Sequence, residues 1–290
     1  MPSPSTKTLD HIVHLTPPGT VDEVSRQFRE LGFHVTPGGT HAGGLTSNAL
    51  VILQDGAYLE LISFTHPASH YLPGSPDRQR RDANPWAWKE PGWIDFAFLG
   101  SSSVSIASVI NERAERDASG ARYVPEVNGG RVREDGKVLK WVISAPDEVH
   151  GRGTLPFFCG DVTPREWRVP IEPPSNAEHP AGVLGIAHVR LLAEAESLSS
   201  VSAQVASVVG DPPRTSTESE YTWLLETPSS SGLTSAPKPL LILSAPADEA
   251  EEAYLAERGP GIYEVAFRVG DGRKVGESTT PYGKIVWLRS

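Results

Sequence analysis

The chain has 290 residues, of which 38% are hydrophobic, enough for the core of one large or two ordinary domains. Its 26 Lys and Arg against 36 Asp and Glu give a formal net charge of -10, which would repel phosphate backbones and anionic membranes. Neither a signal peptide nor a membrane-spanning apolar run is found, and the single cysteine, Cys159, excludes an intrachain disulfide and a cysteine-based zinc site. We therefore expect a cytoplasmic protein that binds neither nucleic acid nor membrane.

The first part of the chain predicts a strand, a helix and further strands. The stretch LDHIVHL, Leu9 to Leu15, has the pattern of a strand, and PPGTVDEVSRQFRELGF after it has apolar residues at helical spacing. The glycine-rich TPGGTHAGG follows, and then two extended runs, SNALVILQ and AYLELISF, flank the hairpin signal Asp55-Gly56. This order predicts a β-α-β-β-β module.

The same order of elements returns along the chain. WIDFAFL, a helix near residues 104–118, the strand pair around Asp135-Gly136 and TLPFFCG form a second module. Beyond the proline-rich residues 164–180, GIAHVRLL, a helix over 198–209, YTWLLETP and PLLILSAP form a third module, and GIYEVAFRV with YGKIVWLRS forms a shortened fourth. We predict an α+β fold of tandem βαβββ modules, with a full pair over residues 8–162, a linker over 163–181 and a degenerate pair over 182–290.

Several of these motifs, in this order, resemble the vicinal oxygen chelate superfamily of glyoxalase I, the bleomycin-resistance proteins and the extradiol dioxygenases. LDHIVHL, a helix ending in LGF, and YLELISF resemble its first module. VTPGGTHAGGLTSNALVIL, DGKVLKW, LPFF and EHPAGVLGIAHVRLL resemble, more narrowly, its glyoxalase-like domain subgroup. The resemblance implies open barrels of the vicinal oxygen chelate type. It also implies a metal-binding histidine on the first strand, His11, and a glutamate on the fourth, Glu60.

A metal would account for the polar residues within these apolar strands. Strand alternation puts His11 and His14 on opposite faces, so only one points into the barrel; the resemblance selects His11. Burying an unpaired Glu60 costs several kcal/mol. A divalent transition metal (Fe, Mn, Co, Ni or Zn) shared with His11 would satisfy both groups. The alternative is that Glu60 pairs with an arginine or a tryptophan N–H inside the barrel and His11 only forms hydrogen bonds.

The second module offers weaker ligands. Asp95 aligns with His11 and is a possible third metal ligand, although a one-residue slip would put Phe96 there instead. Phe157 or Phe158 stands where glyoxalase I has its second glutamate. The chain therefore departs from the four-ligand glyoxalase site.

The second half of the chain repeats part of the ligand pattern. His188 lies at the first-strand position of the third module, and Glu264 lies at the equivalent position of the fourth. This half forms a supporting or substrate-covering barrel, or holds a metal of its own at these two residues. A third arrangement, in which modules one and three pair, would bring them to His11 and Glu60 as metal ligands.

Other residues are candidates for proton transfer and substrate binding. His41 in the glycine-rich loop, with Asn48, is either a proton shuttle or substrate contact, or an exposed turn residue; Glu60 or His41 would move the proton. Trp86 and Trp88, in a long polar insertion, either close over the pocket as a lid or anchor the insertion to the barrel. The candidates for an aromatic substrate cleft are Trp86, Trp88, Trp93, Phe157 and Phe158.

These observations predict a metal-dependent enzyme acting on a small oxygenated molecule. A metal with open positions would bind neighbouring substrate oxygens and stabilise an enolate or oxyanion, as in an isomerase, a lyase or a dioxygenase. The alternatives are a metal-free protein that sequesters a small molecule and a metal-free acid-base enzyme of natural-product metabolism. The partner in each case is a small molecule, and the chain is expected to be a monomer or a homodimer.

Overall fold

The computed structural model describes residues 4–133, 135–147, 152–228, 237–273 and 275–290. The first half contains β1 (Leu9–Leu15), α1 (Val21–Glu30), β2 (Thr36–Thr40), β3 (Thr46–Ile52), β4 (Tyr58–Phe64), α2 (Pro76–Asp82), β5 (Gly92–Leu99), α3 (Ile106–Asp117), β6 (Val127–Val132), β7 (Val138–Ser144) and β8 (Phe157–Asp161). The second half contains α4 (Arg165–Arg168), β9 (Val183–Leu192), α5 (Leu198–Val209), β10 (Thr215–Ser216), β11 (Glu220–Leu224), β12 (Leu240–Ser244), α6 (Glu249–Arg258), β13 (Gly261–Val269), β14 (Gly276–Thr280) and β15 (Gly283–Arg289). Two 3₁₀ helices cover Ala68–His70 and Pro174–Ala177. Within the described ranges, no helix has the length and apolar character needed to cross a membrane.

Modules one and two form one eight-stranded sheet in the order β2-β3-β4-β1-β5-β8-β7-β6. Parallel pairing of β1 with β4 builds module one, and antiparallel pairing of β1 with β5 joins it to module two. The two edge strands meet where His41 pairs with Arg131 and the Ala42 N–H donates to Gly130 O at 3.0 Å. The sheet therefore nearly closes around an interior space.

Modules three and four form a seven-stranded sheet in the order β10-β11-β12-β9-β13-β15-β14. Module four lacks a helix between β13 and β14, whereas α6 precedes β13 and was not predicted from the sequence. The predicted α+β fold of tandem βαβββ modules, with a degenerate last pair, is confirmed. Because β1 pairs with β5 and β9 pairs with β13, modules one and three do not share a sheet.

Every residue of β1 is buried, because one face of the sheet packs against helices and the second sheet in a shared hydrophobic core and the other faces the interior space. On the helix side, His14 packs edge-on against Phe28 and Trp93, with ring centroids 5.1 and 4.7 Å apart. Neither of its ring nitrogens bonds to another described residue, and burial lowers its pKa to about 3. His14 is thus a neutral core residue, not the hydrogen-bonded one that a structural histidine usually is.

The proline-rich segment between the sheets packs against the first sheet. Val169 and Ala177 are buried there with Leu50, Ile52 and Tyr58. Helix α4 lies in this segment and carries two arginines into the same region. The proline-rich segment has the composition of a linker, yet it contributes side chains to the interior of the first barrel.

Candidate active site

A cavity of about 250 Å³ lies within the first sheet. It forms because alternate residues of β1, β3, β4 and β8 point inward, and the meeting of β2 with β6 closes one side. Its polar lining includes His11, His41, Asn48, Glu60 and Arg131, and its apolar lining includes Tyr58, Trp86, Trp141, Ile143 and Phe157. The cavity therefore combines titratable groups with an aromatic wall.

Glu60 is the centre of the polar lining. The Asn48 side-chain amide donates to Glu60 Oε1 at 2.6 Å. His41 Nε2 lies 3.6 Å from Oε1, and His11 Nε2 lies 3.7 Å from Oε2. Both oxygens of this buried carboxylate thus face an imidazole nitrogen, which allows a proton to pass between them with small movements.

His11 is oriented by its neighbour in sequence. His11 Nδ1 lies 2.8 Å from the buried Asp10 Oδ2, which favours a proton on Nδ1 and leaves Nε2 directed at Glu60. The ring stacks on Tyr58 at 4.6 Å and meets the edge of Phe157 at 5.3 Å. Strict alternation would separate Asp10 from His11; a register irregularity between Leu9 and His11, where β1 pairs with β5, accompanies their approach.

Two arginines of α4 hold Asp10. Arg165 donates to Oδ1 at 2.5 Å, and Arg168 donates to Oδ2 at 2.9 Å. Arg168 also donates to Asp161 at 2.6 Å. Burial by itself would raise the pKa of Asp10, but Arg165 and Arg168 overcome this effect and hold the pKa well below its usual range. Asp10 is therefore an ionised, immobile acceptor for His11.

His41 is a half-buried imidazole on the other side of Glu60. Burial lowers its pKa, Glu60 opposes this change, and Arg131 and His11 lower the pKa further. Its Nδ1 lies 2.8 Å from Thr46 Oγ1. His41 is therefore neutral at neutral pH and can accept a proton.

The residues of this cavity do not fit the metal site that the resemblance implies. Opposite His11, β5 places Ala97, and opposite Ala97, β8 places Phe157, so module two supplies an alanine and a phenylalanine. Across the described ranges, no group of three or more histidine, cysteine, aspartate or glutamate side chains is arranged to hold a metal ion. The Asn48 amide also directs an N–H donor at Glu60, so the carboxylate has a protein donor, which is neither the arginine nor the tryptophan of the alternative.

Asp95, the residue aligned with His11, is bound elsewhere. Its carboxylate accepts from Trp86 Nε1 at 2.8 Å and lies 3.6 Å from the Arg152 guanidinium. Burial raises the pKa of Asp95, and Arg152 and Trp86 oppose the rise. Asp95 does not line the cavity, and it anchors Trp86, which does.

Three of the predicted aromatic residues lie away from the cavity. Trp88 is exposed, at 72% of its surface. Trp93 is buried on the helix side, where its Nε1 donates to Lys284 O at 3.0 Å. Phe158 packs against Tyr123 with ring centroids 5.7 Å apart. Of the five aromatic candidates, Trp86 and Phe157 contribute to the wall.

His188 and Glu264 form a separate pair on the second sheet. His188 Nε2 lies 2.8 Å from Glu264 Oε1, and Lys284 Nζ lies 3.2 Å from Oε2. Burial raises the pKa of Glu264, but His188 and Lys284 more than offset this and lower it. The structure does not bring these residues to His11 and Glu60.

Sequence reasoning missed several residues of the site. Tyr58 was detectable, because it lies two positions from Glu60 and so shares its face. Strict alternation would place Asp10 on the face opposite His11, so the sequence did not point to it. Arg131 and Arg168 carried no signal, because they lie in a short polar strand and in the proline-rich segment.

Comparison with known proteins identifies the family. The family model described as "Glyoxalase-like domain" matches residues 9–208. Comparison with curated proteins finds no match.

A solved structure shares the fold of this chain. A hypothetical protein from Staphylococcus aureus is 10% identical and aligns with a TM-score of 0.67 over 98% of this chain and 99% of its own. A mutant of 4-hydroxymandelate synthase from Streptomyces coelicolor is 13% identical, with a TM-score of 0.49 over 96% of this chain and 78% of its own. A 2,2',3-trihydroxybiphenyl 1,2-dioxygenase from Sphingomonas wittichii strain RW1 is 11% identical, with a TM-score of 0.47 over 97% and 90%. The chain belongs to the glyoxalase-like domain family.

Proposed function

We propose that the chain is an enzyme that moves a proton on a small oxygenated molecule in the first barrel, using Glu60, His11 and His41. The observation that carries this proposal is the convergence of two imidazole Nε2 atoms on the two oxygens of one buried carboxylate, at 3.6 and 3.7 Å. A group of this kind at the wall of a cavity is typical of acid-base sites.

The geometry supports separate roles for the three residues. Glu60 removes a proton from a carbon next to a carbonyl group, because its carboxylate faces the cavity and is oriented by Asn48. His11 keeps its proton on Nδ1 against Asp10, so its free Nε2 can accept a proton, and Asp10 balances the charge of the imidazolium that then forms. Neutral His41 accepts the proton from Glu60 and returns it. Isomerisation, epimerisation and elimination next to a carbonyl all use such a step.

The experiment is a screen for carbon-bound deuterium exchange. Chelator-treated protein is incubated in D₂O with small 2-oxo, 2-hydroxy and 1,2-dicarbonyl compounds, and loss of substrate protons is followed by ¹H NMR. We expect exchange for at least one compound, with a rate about 10²- to 10⁴-fold lower in Glu60→Gln. The matched control is Glu30→Gln, because Glu30 is exposed at the end of α1 and should leave the rate unchanged.

Two results would overturn the proposal. One is exchange that stops on chelator treatment and returns when a transition metal is added, with stoichiometric metal lost in His11→Ala and Glu60→Gln by elemental analysis. The other is exchange that persists at full rate in Glu60→Gln.

A second candidate is a protein that sequesters a small aromatic molecule. The specific observation is the wall formed by Trp86, Trp141 and Phe157, which suits a flat ligand. Stoichiometric, tight binding of such a ligand without deuterium exchange in any compound of the screen would favour this candidate.

A further inference from the structure

One cation of the cavity has no role in the proton-transfer group. Arg131 projects from β6 into the same cavity and is only 5% exposed. Its position is set by the meeting of the two edge strands, where it pairs with His41, and by donation from one terminal guanidinium nitrogen to Gly38 O. The guanidinium is thus held at the polar lining by the barrel itself.

The second arginine of the cavity lining is used differently. Arg168 donates from Nε and Nη2 to Asp161 at 2.6 and 2.8 Å, and from Nη1 to Asp10 at 2.9 Å and to Tyr58 Oη at 2.8 Å. Its charge is therefore balanced by two carboxylates, and its donors are occupied. Arg168 is a structural cation that supports His11.

Arg131 has no such partner. Among the described residues, no carboxylate lies within 4.0 Å of its guanidinium, and the bond to Gly38 O is its one hydrogen bond. Burial lowers the pKa of Arg131, with Tyr58 and Glu60 opposing the change. An arginine has five N–H donors, and a buried cation without a counter-ion is costly. In a cavity, the usual reason for keeping one is a ligand anion that completes the pair.

We propose that Arg131 binds a carboxylate group of the ligand, so that the substrate is a small monoanionic carboxylic acid whose body packs on the aromatic wall. The inference rests on the proposed function for the location of the substrate and adds its chemical class. The planar guanidinium matches a carboxylate with two parallel hydrogen bonds. Glu60 lies in the same cavity, so a doubly charged phosphate group would meet more repulsion than a carboxylate.

The size of the cavity agrees with a small ligand. At about 250 Å³, it lies below the usual range for drug-sized ligands. The wall of Trp86, Trp141 and Phe157 favours an aromatic or planar unsaturated body. A short arylalkyl carboxylate has both features.

The test is direct binding to the full chain. Phenylacetate, phenylpyruvate and mandelate are titrated by calorimetry and tryptophan fluorescence, with phenylacetamide as the neutral analogue and benzylphosphonate as the dianion. We expect at least one carboxylate to bind about tenfold or more tightly than phenylacetamide and benzylphosphonate. In Arg131→Gln, the affinity for that carboxylate should fall about tenfold or more, whereas Arg131→Lys should retain part of it. Arg116→Gln is the matched control, because Arg116 is an exposed arginine paired with Asp117 on α3.

Each outcome decides the proposal. Equal affinity for acid and amide, absence of binding by all three carboxylates, or unchanged affinity in Arg131→Gln that folds like the wild type by near-ultraviolet circular dichroism would overturn it. Tighter binding of benzylphosphonate would also overturn it in favour of a phosphate ligand. If Arg131→Gln does not fold, weaker binding in Arg131→Lys together with wild-type discrimination against the amide supports it. Glu60→Gln separates the two proposals: it should lose deuterium exchange and keep carboxylate binding.

Discussion

Replacing Asp10 by asparagine tests the link between the proline-rich segment and the catalytic histidine. Asparagine has nearly the same shape as aspartate but no charge, so Arg165 and Arg168 lose the carboxylate that they share. His11 loses the ionised acceptor at its Nδ1. Both the stability of the barrel and the orientation of His11 should therefore change.

The loss of stability in Asp10→Asn depends on the counter-ion that the two arginines keep. Removing one partner of a buried ion pair costs about 3 to 5 kcal/mol of unfolding free energy. Asp161 still lies 2.6 Å from Arg168 and 3.3 Å from Arg165, so the arginines keep one counter-ion between them. We expect a loss near the lower end, about 3 kcal/mol.

Urea unfolding followed by circular dichroism measures the decrease in unfolding free energy. An unchanged dependence of this free energy on urea concentration would support two-state unfolding of the variant. Asp77→Asn is the control: Asp77 is an exposed partner of Arg80, and its replacement should cost less than about 1 kcal/mol. The ¹⁵N shifts of His11 report its tautomer and should move from the Nδ1-protonated pattern in Asp10→Asn. A loss below about 1 kcal/mol with unchanged His11 shifts would refute the reasoning, since the pair would then neither stabilise the barrel nor orient the ring.

Two further predictions concern buried groups. His14 has a folded-state pKa of about 3 against an ordinary 6.5, so the unfolded chain binds its proton first; its contribution to stability is complete above pH 6.5 and falls as pH drops towards 3, by about 1.4 kcal/mol per pH unit. In His14→Leu, the unfolding free energy measured in urea should depend less steeply on pH between pH 6 and 4, by the slope that corresponds to one proton. An unchanged slope would contradict this. Burial raises the pKa of Cys159, so this thiol should react with a disulfide reagent in urea but resist it in the folded protein; equal rates in the two states would contradict its burial.

Much of the fold follows from local patterns. The alternation in AYLELISF and the helical spacing before LGF depend on neighbours two to four positions apart, so strand and helix could be assigned without knowing the rest of the chain. The repetition of those patterns identified the modules. Helix α6 was missed, because it is mostly polar, with only Glu251 and Leu255 buried, and its apolar face is too narrow to show as a period.

The candidate site was predictable only in part. His11 and Glu60 lie in recognisable strands whose inward faces follow from alternation and from the resemblance. The partners of Asp10 could not be predicted from the sequence, because Arg165 and Arg168 are 155 and 158 residues away along the chain. Composition marks their segment as a linker, and nothing local indicates that one turn of helix there enters the first barrel.

The sequence by itself determined the modules and their order, because strand and helix patterns are local properties of the backbone. Alternation separated His11 from His14, and the family resemblance selected His11 and Glu60 as the inward residues. The tertiary structure decided that modules one and two close on each other, which brings His41 to Glu60 and Arg131 to the same cavity. It also decided that arginines of the connecting segment neutralise Asp10, the buried carboxylate beside His11. The choice of partner for a buried charge depends on which distant segments meet, and that depends on the packing of the whole chain.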